Sequence, residues 1–532
     1  MKGILRLAGL SIVALAQAAA APPQITAIFN AASYARAGLP NSGIAAGSVF
    51  VILGTDLGPA RLQQADSFPL PLTLGGTSVR VTVDSTVVDA IMVYTSANKV
   101  SAILPSNTPL GIGLLAVTYQ GHTSEAGAFR VQRSAPGIQT KDQSGIGLAV
   151  ATNFNSVADQ PMNGLTRAAH PGQVVTLFGT GLGPIVGDDA AAPVQQDLNL
   201  NVQMLVGGKP AKIRYKGRSD CCAGIDQIAI EIPAGVDGCY VPVAVRVDDA
   251  VSNFVTISVA SSGDVCTDLN GVSGADLVKL QNGGTIAWGV ATLSVNQDCG
   301  DDDSCYFSTP PTKFNEYGSA SFQRAGLYPN AYQVRLGLPS LGSCVVSPAA
   351  GLSPVIFPEP APLDAGPVLN LTGPKGTMQL TSNFLGNYYR QFSSLVTELQ
   401  FLQPGDYVLD NGTGGPDVGP FKATLTIPKA FTSNVEQSAD TAKISWSGGD
   451  PSGYVIVQGS GVAAPNGANV GFLCTERVAA GQFTIPPEVL LSLPPHTAGH
   501  GIPVSASSPV MAKFQAKGLD IGQFLYFGAP LQ

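Results

Sequence analysis

What this 532-residue chain has little of is charge. Asp, Glu, Lys and Arg make up only 12% of it, against 45% apolar residues. Disorder needs the opposite balance, so a folded chain is expected. Lys and Arg number 28 and lie scattered without a basic cluster, which argues against a nucleic-acid surface. Histidine is scarce, with four in the whole chain, too few to suggest a hydrolase or zinc centre. Long apolar runs are missing as well. Beyond the N-terminus no segment approaches the ~20 uninterrupted apolar residues of a membrane-spanning helix.

Nucleophile and phosphate motifs are also wanting. Gly337-Leu338-Pro339-Ser340-Leu341-Gly342 carries one residue too many before its serine to be a G-x-S-x-G elbow. FGTGLG, from Phe178, looks like a phosphate loop, but no GK[ST] follows and Pro184 breaks the helix such a loop requires. His496 and His500 are four apart, yet PPHTAGHGIP holds three prolines and two glycines and lacks the Glu of an HExxH helix. They read as loop residues, as do His122 and His170 beside turns.

Glycine (62) and proline (40) are abundant, so turns are dense and β-structure is expected. The length suggests three or four domains. At the N-terminus, Lys2 and Arg6 precede the short apolar run Leu7–Leu15 and the alanines Ala16–Ala20. That order is a secretory signal over 1–20, with cleavage near Ala18–Ala20; a membrane anchor would need a longer run. Its removal takes the formal charge from −8 to −10. The expected location is therefore secreted or cell-surface. In such a compartment eight cysteines suggest disulfides.

The chain also repeats itself. AGSVFVILGTDLGP (Ala46–Pro59) returns as PGQVVTLFGTGLGP (Pro171–Pro184), about 125 residues later. In each copy a buried-strand pattern runs into glycines that permit positive φ and a sharp exit, Gly54 and Gly179 being equivalent. The match continues from Lys99–Pro105 to Gln227–Pro233, and from Ser124–Val131 to Ser252–Val259. Short strands separated by turns at roughly 8–12 residues are the signature of a sandwich.

Asn30-Ala31-Ala32-Ser33-Tyr34, Leu74-Gly75-Gly76-Thr77-Ser78-Val79, the GTGLGP turn and Cys221-Cys222-Ala223-Gly224-Ile225-Asp226-Gln227-Ile228 occur in this order. With these motifs residues 25–260 resemble the paired immunoglobulin-like (IPT/TIG-like) domains of a secreted-protein family abundant in acidobacteria. The first copy departs from that pattern at Asn98-Lys99, where a Gln is usual, and in lacking cysteines. The resemblance implies fold and extracellular setting, and no catalytic residues. The expected fold class is all-β: two tandem immunoglobulin-like β-sandwiches (25–133 and 134–260), then a larger C-terminal β-sandwich-like region (265–532). In that region Tyr407–Leu409, Ala423–Ile427, Ala442–Trp446 and Tyr454–Val457 read as strands and Pro487–Leu493 as a short helix. One large sandwich is expected there, with two small ones as the alternative.

Strand order leads to a disulfide pairing. Cys222 and Cys239 flank the strand Ile225–Ile232, whose eight residues would hold them about 26 Å apart, beyond disulfide reach. The next strand pair returns its end beside Cys239, so Cys239 should bond Cys266. Cys221 and Cys222 then remain a vicinal pair, bonded together or free. Cys344 with Cys474 and Cys299 with Cys305 complete the set.

Two constellations are candidate binding sites. Asp298, Asp301, Asp302 and Asp303 surround Cys299 and Cys305, and their carboxylates suit Ca²⁺, the one cofactor considered. The EF-hand spacing is absent, so a solvated loop is the competing reading; Asp268-Leu269-Asn270-Gly271 with Asp276 is too short for a calcium loop. Trp288, Tyr388, Tyr389 and Trp446 could form a sugar platform, or be core, as aromatics on strands usually are. Three functions follow: a non-catalytic surface, adhesion or structural protein; an extracellular carbohydrate-binding protein; or a hydrolase with paired carboxylates. The partners expected are a polysaccharide or a cell-surface protein.

Overall fold

The computed structural model describes residues 21–269, 272–297, 313–326, 338–348, 361–383, 386–429, 431–438, 441–463, 468–494 and 504–528. The protein is all-β, and the repeat is visible in its strand order. In the first unit one sheet runs Gln24–Asn30, Val49–Thr55, Lys99–Ile103, Ile91–Thr95, Gln63–Gln64. The facing sheet runs Ile44–Ala45, Gly127–Gln132, Gly111–Tyr119, Thr77–Val83, Thr73–Leu74. The second unit repeats both orders. Its sheets run Gly137–Ile138, Val174–Thr180, Asp226–Glu231, Lys212–Arg218, Gln196–Asp197, and Gly147–Leu148, Val255–Val259, Gly238–Val247, Val202–Val206, Lys209–Pro210. Even the short parallel pair recurs: Ile44 with Val131, and Gly147 with Val255.

Alternation explains each sandwich. Along Thr77–Val83 the inward residues Val79, Val81 and Val83 are buried while Arg80 points out. They meet Phe50 and Ile52 of the opposite sheet in one core, and Val175, Leu177, Val243 and Val245 fill the equivalent core of the second unit.

The equivalent glycines hold a different conformation from the one expected. Neither Gly54 nor Gly179 lies in the left-handed region. Each faces the backbone of the strand beside it, where a Cβ would overlap the carbonyl oxygen of Gln24 or Gly137. Left-handed backbone comes just after, at Asp56 (φ 56°) in the first copy and Gly181 (φ 102°) in the second.

The C-terminal region has two cores instead of one. A ten-stranded sheet contains Thr285–Gln297, Phe314–Gly326, Val368–Gly373, Gly376–Ser382, Asn387–Val396, Gly405–Asp410 and Lys422–Ile427, and closes with Val510–Phe514 and Ile521–Phe527. It curls until its edge strands Lys422–Ile427 and Val510–Phe514 lie against each other around Tyr407, Phe322 and Phe524. A separate sandwich packs Ser343–Pro348, Tyr454–Ala463, Ala468–Arg477 and Val504–Ser507 against Thr432–Gln437, Ala442–Ser447 and Gln482–Thr484. Its core holds Trp446, Phe472 and Val457. The chain enters the curled sheet, leaves for the sandwich, and returns twice. All four strands read from sequence in this region are present, as is the helix, at Pro487–Leu491. The helix Gly274–Gln281 was not anticipated. Ser273 caps it, accepting from Asp276 N at 3.1 Å.

Candidate functional site

Motifs that carry the family resemblance converge on the seam between the first two units. Asn30 ends the first strand and is buried. Its Oδ1 accepts from Ala32 N (2.8 Å) and Ser33 N (3.1 Å), which turns the chain. Its Nδ2 donates across the seam to Ala135 O (2.9 Å) and Thr180 O (3.4 Å). Thr180, from the GTGLGP turn, accepts from Val49 N of the first unit at 2.9 Å and donates to Gly224 O at 2.7 Å. A Cβ on Gly181 would overlap Ala135 O, and one on Gly224 (φ 70°) would press on Val49 and Ile103. Gly224 thus leaves room for Val49 and Ile103 of the first unit, while Gly181 lets its turn lie against the entering chain at Ala135.

Behind the turn lies an ion pair. Arg218 Nη1 donates to Asp226 Oδ1 at 2.6 Å, and both side chains are 3% exposed. The pair faces itself across two neighbouring strands, Arg218 opposite Asp226. Asp226 Oδ2 accepts from Leu182 N (2.8 Å), while Arg218 Nη2 donates to Gly183 O (3.1 Å). Arg218 Nε has no partner. Burial pushes the Asp226 carboxyl up to about 6, against the downward pull of Arg218 and the backbone N–H groups. The pair thus braces the turn from inside the second unit.

The loop after the turn closes the seam's edge. Ser106 of the first unit donates from N (2.7 Å) and Oγ (2.9 Å) to the Asp189 carboxylate, and its Oγ accepts from Ile185 N at 3.0 Å. Leu70 N donates to Ala190 O at 2.7 Å. Between this loop and Arg218, Ala223 and Gly224 lies a cleft of about 190 Å³. Cys221 and Cys222, just before Ala223, are exposed free thiols.

Of the predicted disulfides, Cys239–Cys266 (Cα–Cα 5.0 Å) and Cys344–Cys474 (4.0 Å) are formed. Asp298, Cys299, Asp301, Asp302, Asp303 and Cys305 lie outside the described residues, as do His496 and His500. Among the described residues no group of three or more His, Cys, Asp or Glu could hold a metal. Asp268 is buried and accepts from Val272 N at 3.2 Å.

The four aromatic candidates are not brought together. Tyr388 is 2% exposed in the core of the curled sheet, its hydroxyl donating to Gly366 O. Trp446 is 9% exposed in the core of the small sandwich and donates from Nε1 to Val478 O at 2.8 Å. Trp288 is half-buried near the helix Gly274–Gln281, with Nε1 donating to Gln523 Oε1 at 3.2 Å. Only Tyr389 of the four is exposed, at 51%, and its ring lies 6.1 Å from that of Tyr317. A platform made of all four is ruled out by burial.

No known family model matches the sequence, and no curated protein matches it. Among solved structures the chain is similar to the plexin A4 extracellular region, at 14% identity and TM-score 0.15, over 44% of this chain and 18% of that one. It is similar to dimeric latent PorU from Porphyromonas gingivalis, at 11% and 0.18, over 76% and 32%. A third is the Bacteroides ovatus mixed-linkage glucan utilization locus SGBP-B in complex with a mixed-linkage heptasaccharide, at 11% and 0.13, over 94% and 98%. The chain thus spans less than a third of the plexin and PorU structures. Scores this low carry no functional argument, and the fold class rests on the sheets themselves.

Sequence reasoning quoted Asn30, Thr180 and Asp226 as parts of motifs without assigning them work. It missed Arg218, whose only sequence signal is its place eight residues before Asp226, across a turn. It also missed Glu316, a fully buried carboxylate that accepts from Gln400 N, Phe401 N, Leu402 N and Ser393 Oγ. Asp226 and Glu316 sit in different units, each held by its own donors. They do not form the carboxylate pair a glycosidase would need.

Proposed function

We propose that the protein is exported through a cleaved signal peptide and serves as a non-catalytic surface, adhesion or structural protein. One observation supports this above the others: buried polar groups of the motifs at Asn30–Tyr34, Gly179–Pro184 and Cys221–Ile228 fasten one immunoglobulin-like unit to the next. Asn30, Thr180, Gly224 and the Arg218–Asp226 pair are committed to the seam and its supporting turn. Such a joint transmits load and holds a surface in fixed orientation. No helix among the described residues is long and apolar enough to cross a membrane. The resemblance to paired IPT/TIG-like domains points the same way. The test combines fractionation with binding and product-release assays. The chain should be recovered outside the cytoplasm with its N-terminus near residues 19–21, and should bind cells or extracellular polymers without releasing product. Turnover of any polysaccharide by the pure protein would overturn the reading.

A second reading, carbohydrate binding, is favoured by the exposed Tyr389 beside Tyr317 on the outside of the curled sheet. An exposed ring backed by a half-buried one offers a flat apolar face to a sugar. Under this reading Tyr389→Ala should weaken retention on a neutral polysaccharide by about tenfold, the ~1.4 kcal/mol expected of one stacked ring. Unchanged retention leaves the first reading alone.

A further inference from the structure

From the placement of Cys221 and Cys222 we infer that they form a reversible redox site, a dithiol that closes to a vicinal disulfide by exchange with low-molecular-weight disulfides. The four other described cysteines are already bonded in two disulfides, and these two are the free, exposed thiols of the described residues. The turn that carries them is pinned at both ends. Ser219 N donates to Ile225 O at 2.9 Å and Ile225 N to Cys222 O at 3.2 Å. Cys221 N donates to Ser219 Oγ at 3.2 Å, and that hydroxyl donates to Gln227 Oε1 at 3.1 Å. Both residues are exposed, so both thiols are open to an external disulfide. Adjacent residues in a fixed turn give the second thiol a very high effective concentration toward the first.

The two sulfurs have different roles. Burial first, then the neighbouring Cys221 and the charge of Asp220, pushes the Cys222 thiol up to about 12. Cys222 is therefore a poor first nucleophile, and Cys221 attacks. Its thiolate displaces one half of the external disulfide, R–S–S–R, forming Cys221–S–S–R and releasing R–S⁻, which takes up the proton Cys221 lost. Cys222 then attacks the Cys221 sulfur, expels the second R–S⁻ and gives up its own proton. The balance is one dithiol and one disulfide converted to one vicinal disulfide and two R–SH. The ring closes two residues before Gly224, whose carbonyl holds Thr180 at the seam.

The full-length exported chain is incubated with oxidised glutathione, alkylated and mapped without reduction. The peptide spanning 219–227 should lose the mass of two hydrogens and its alkylation. A mild thiol should restore both while Cys239–Cys266 and Cys344–Cys474 persist. Cys222→Ser should trap a stable mixed disulfide on Cys221, and Cys221→Ser should form no adduct. Persistent alkylation of both thiols in the wild type would overturn the inference. So would a cross-link from either cysteine to Cys299 or Cys305, or an adduct on Cys222 in the Cys221→Ser chain.

Discussion

At Gly54 and Gly179 a hydrogen stands where any other residue would place carbon against a neighbouring carbonyl oxygen. Gly179→Ala must push Gly137 and Ile138 away from their pairing with Thr180 and Gly179, and should destabilise the second unit by about 1–3 kcal/mol in chemical unfolding. Gly172→Ala is the contrast: its φ is 85°, but nothing lies within 4 Å of the added carbon. It should cost only about 1 kcal/mol, through backbone strain. Asp226 makes a pH prediction. Its folded pKa of about 6 lies above the roughly 3.9 of an unfolded Asp. The folded state therefore holds the extra proton between those values, and this group's contribution is largest near pH 4 and is lost as pH rises to about 6. Melting curves of wild type and Asp226→Asn should show the wild type's advantage shrinking over that window and level above it. Asp226→Asn is neutral at every pH, so its own stability should carry no such dependence across that window. The site was only half legible at this scale. Asn30 and Thr180 stood out only as letters of quoted motifs, and their bonds cross 105 and 131 residues, which no local pattern encodes.

Strands were the legible elements, because burial on one face imposes a period of two that survives without any tertiary knowledge. Ala423–Ile427 shows it: Ala423, Leu425 and Ile427 are buried while Thr424 and Thr426 are exposed. The helix Gly274–Gln281 was harder to see, since it is only eight residues long. Asp276 was weighed only with Asp268–Gly271 as a calcium loop, which is too short, and the Ser273-x-x-Asp276 cap went unread. Strand order did give one disulfide. Gly238 pairs with Val259, which brings the end of the last strand of the second unit back beside Cys239. Cys239 N then donates to Thr267 O at 3.2 Å, next to the bonded Cys266. The bond spans 27 residues and ties that unit to the segment leading into the helix. A Cys239→Ser, Cys266→Ser chain should lose about 2–4 kcal/mol, read by calorimetry, with the loss concentrated at this junction.

Across the whole molecule the second unit is gripped on several sides. Its Ala244, Val251 and Phe254 belong to the core of the small sandwich, and Arg246 reaches Glu488 at 3.4 Å. Leu39 of the first unit enters that same core. The division of the C-terminal region was the least legible feature, because the two cores draw on alternating stretches of chain. Sequence can mark strands, but it does not say which of two nearby cores each one joins. Removing residues 510–532 should leave the first two units folded, with their exchange-protected amides intact, while the curled sheet loses protection.

That interleaving also sets a clock. Trp288 pairs in parallel with Ile521, and Ala287 N donates to Asp520 across 233 residues at 2.7 Å. The first two sandwiches can complete as soon as their own residues emerge from the ribosome. The curled sheet must wait with an open edge until its final strands arrive. In that interval its apolar interior is the part of the chain most exposed to misassociation.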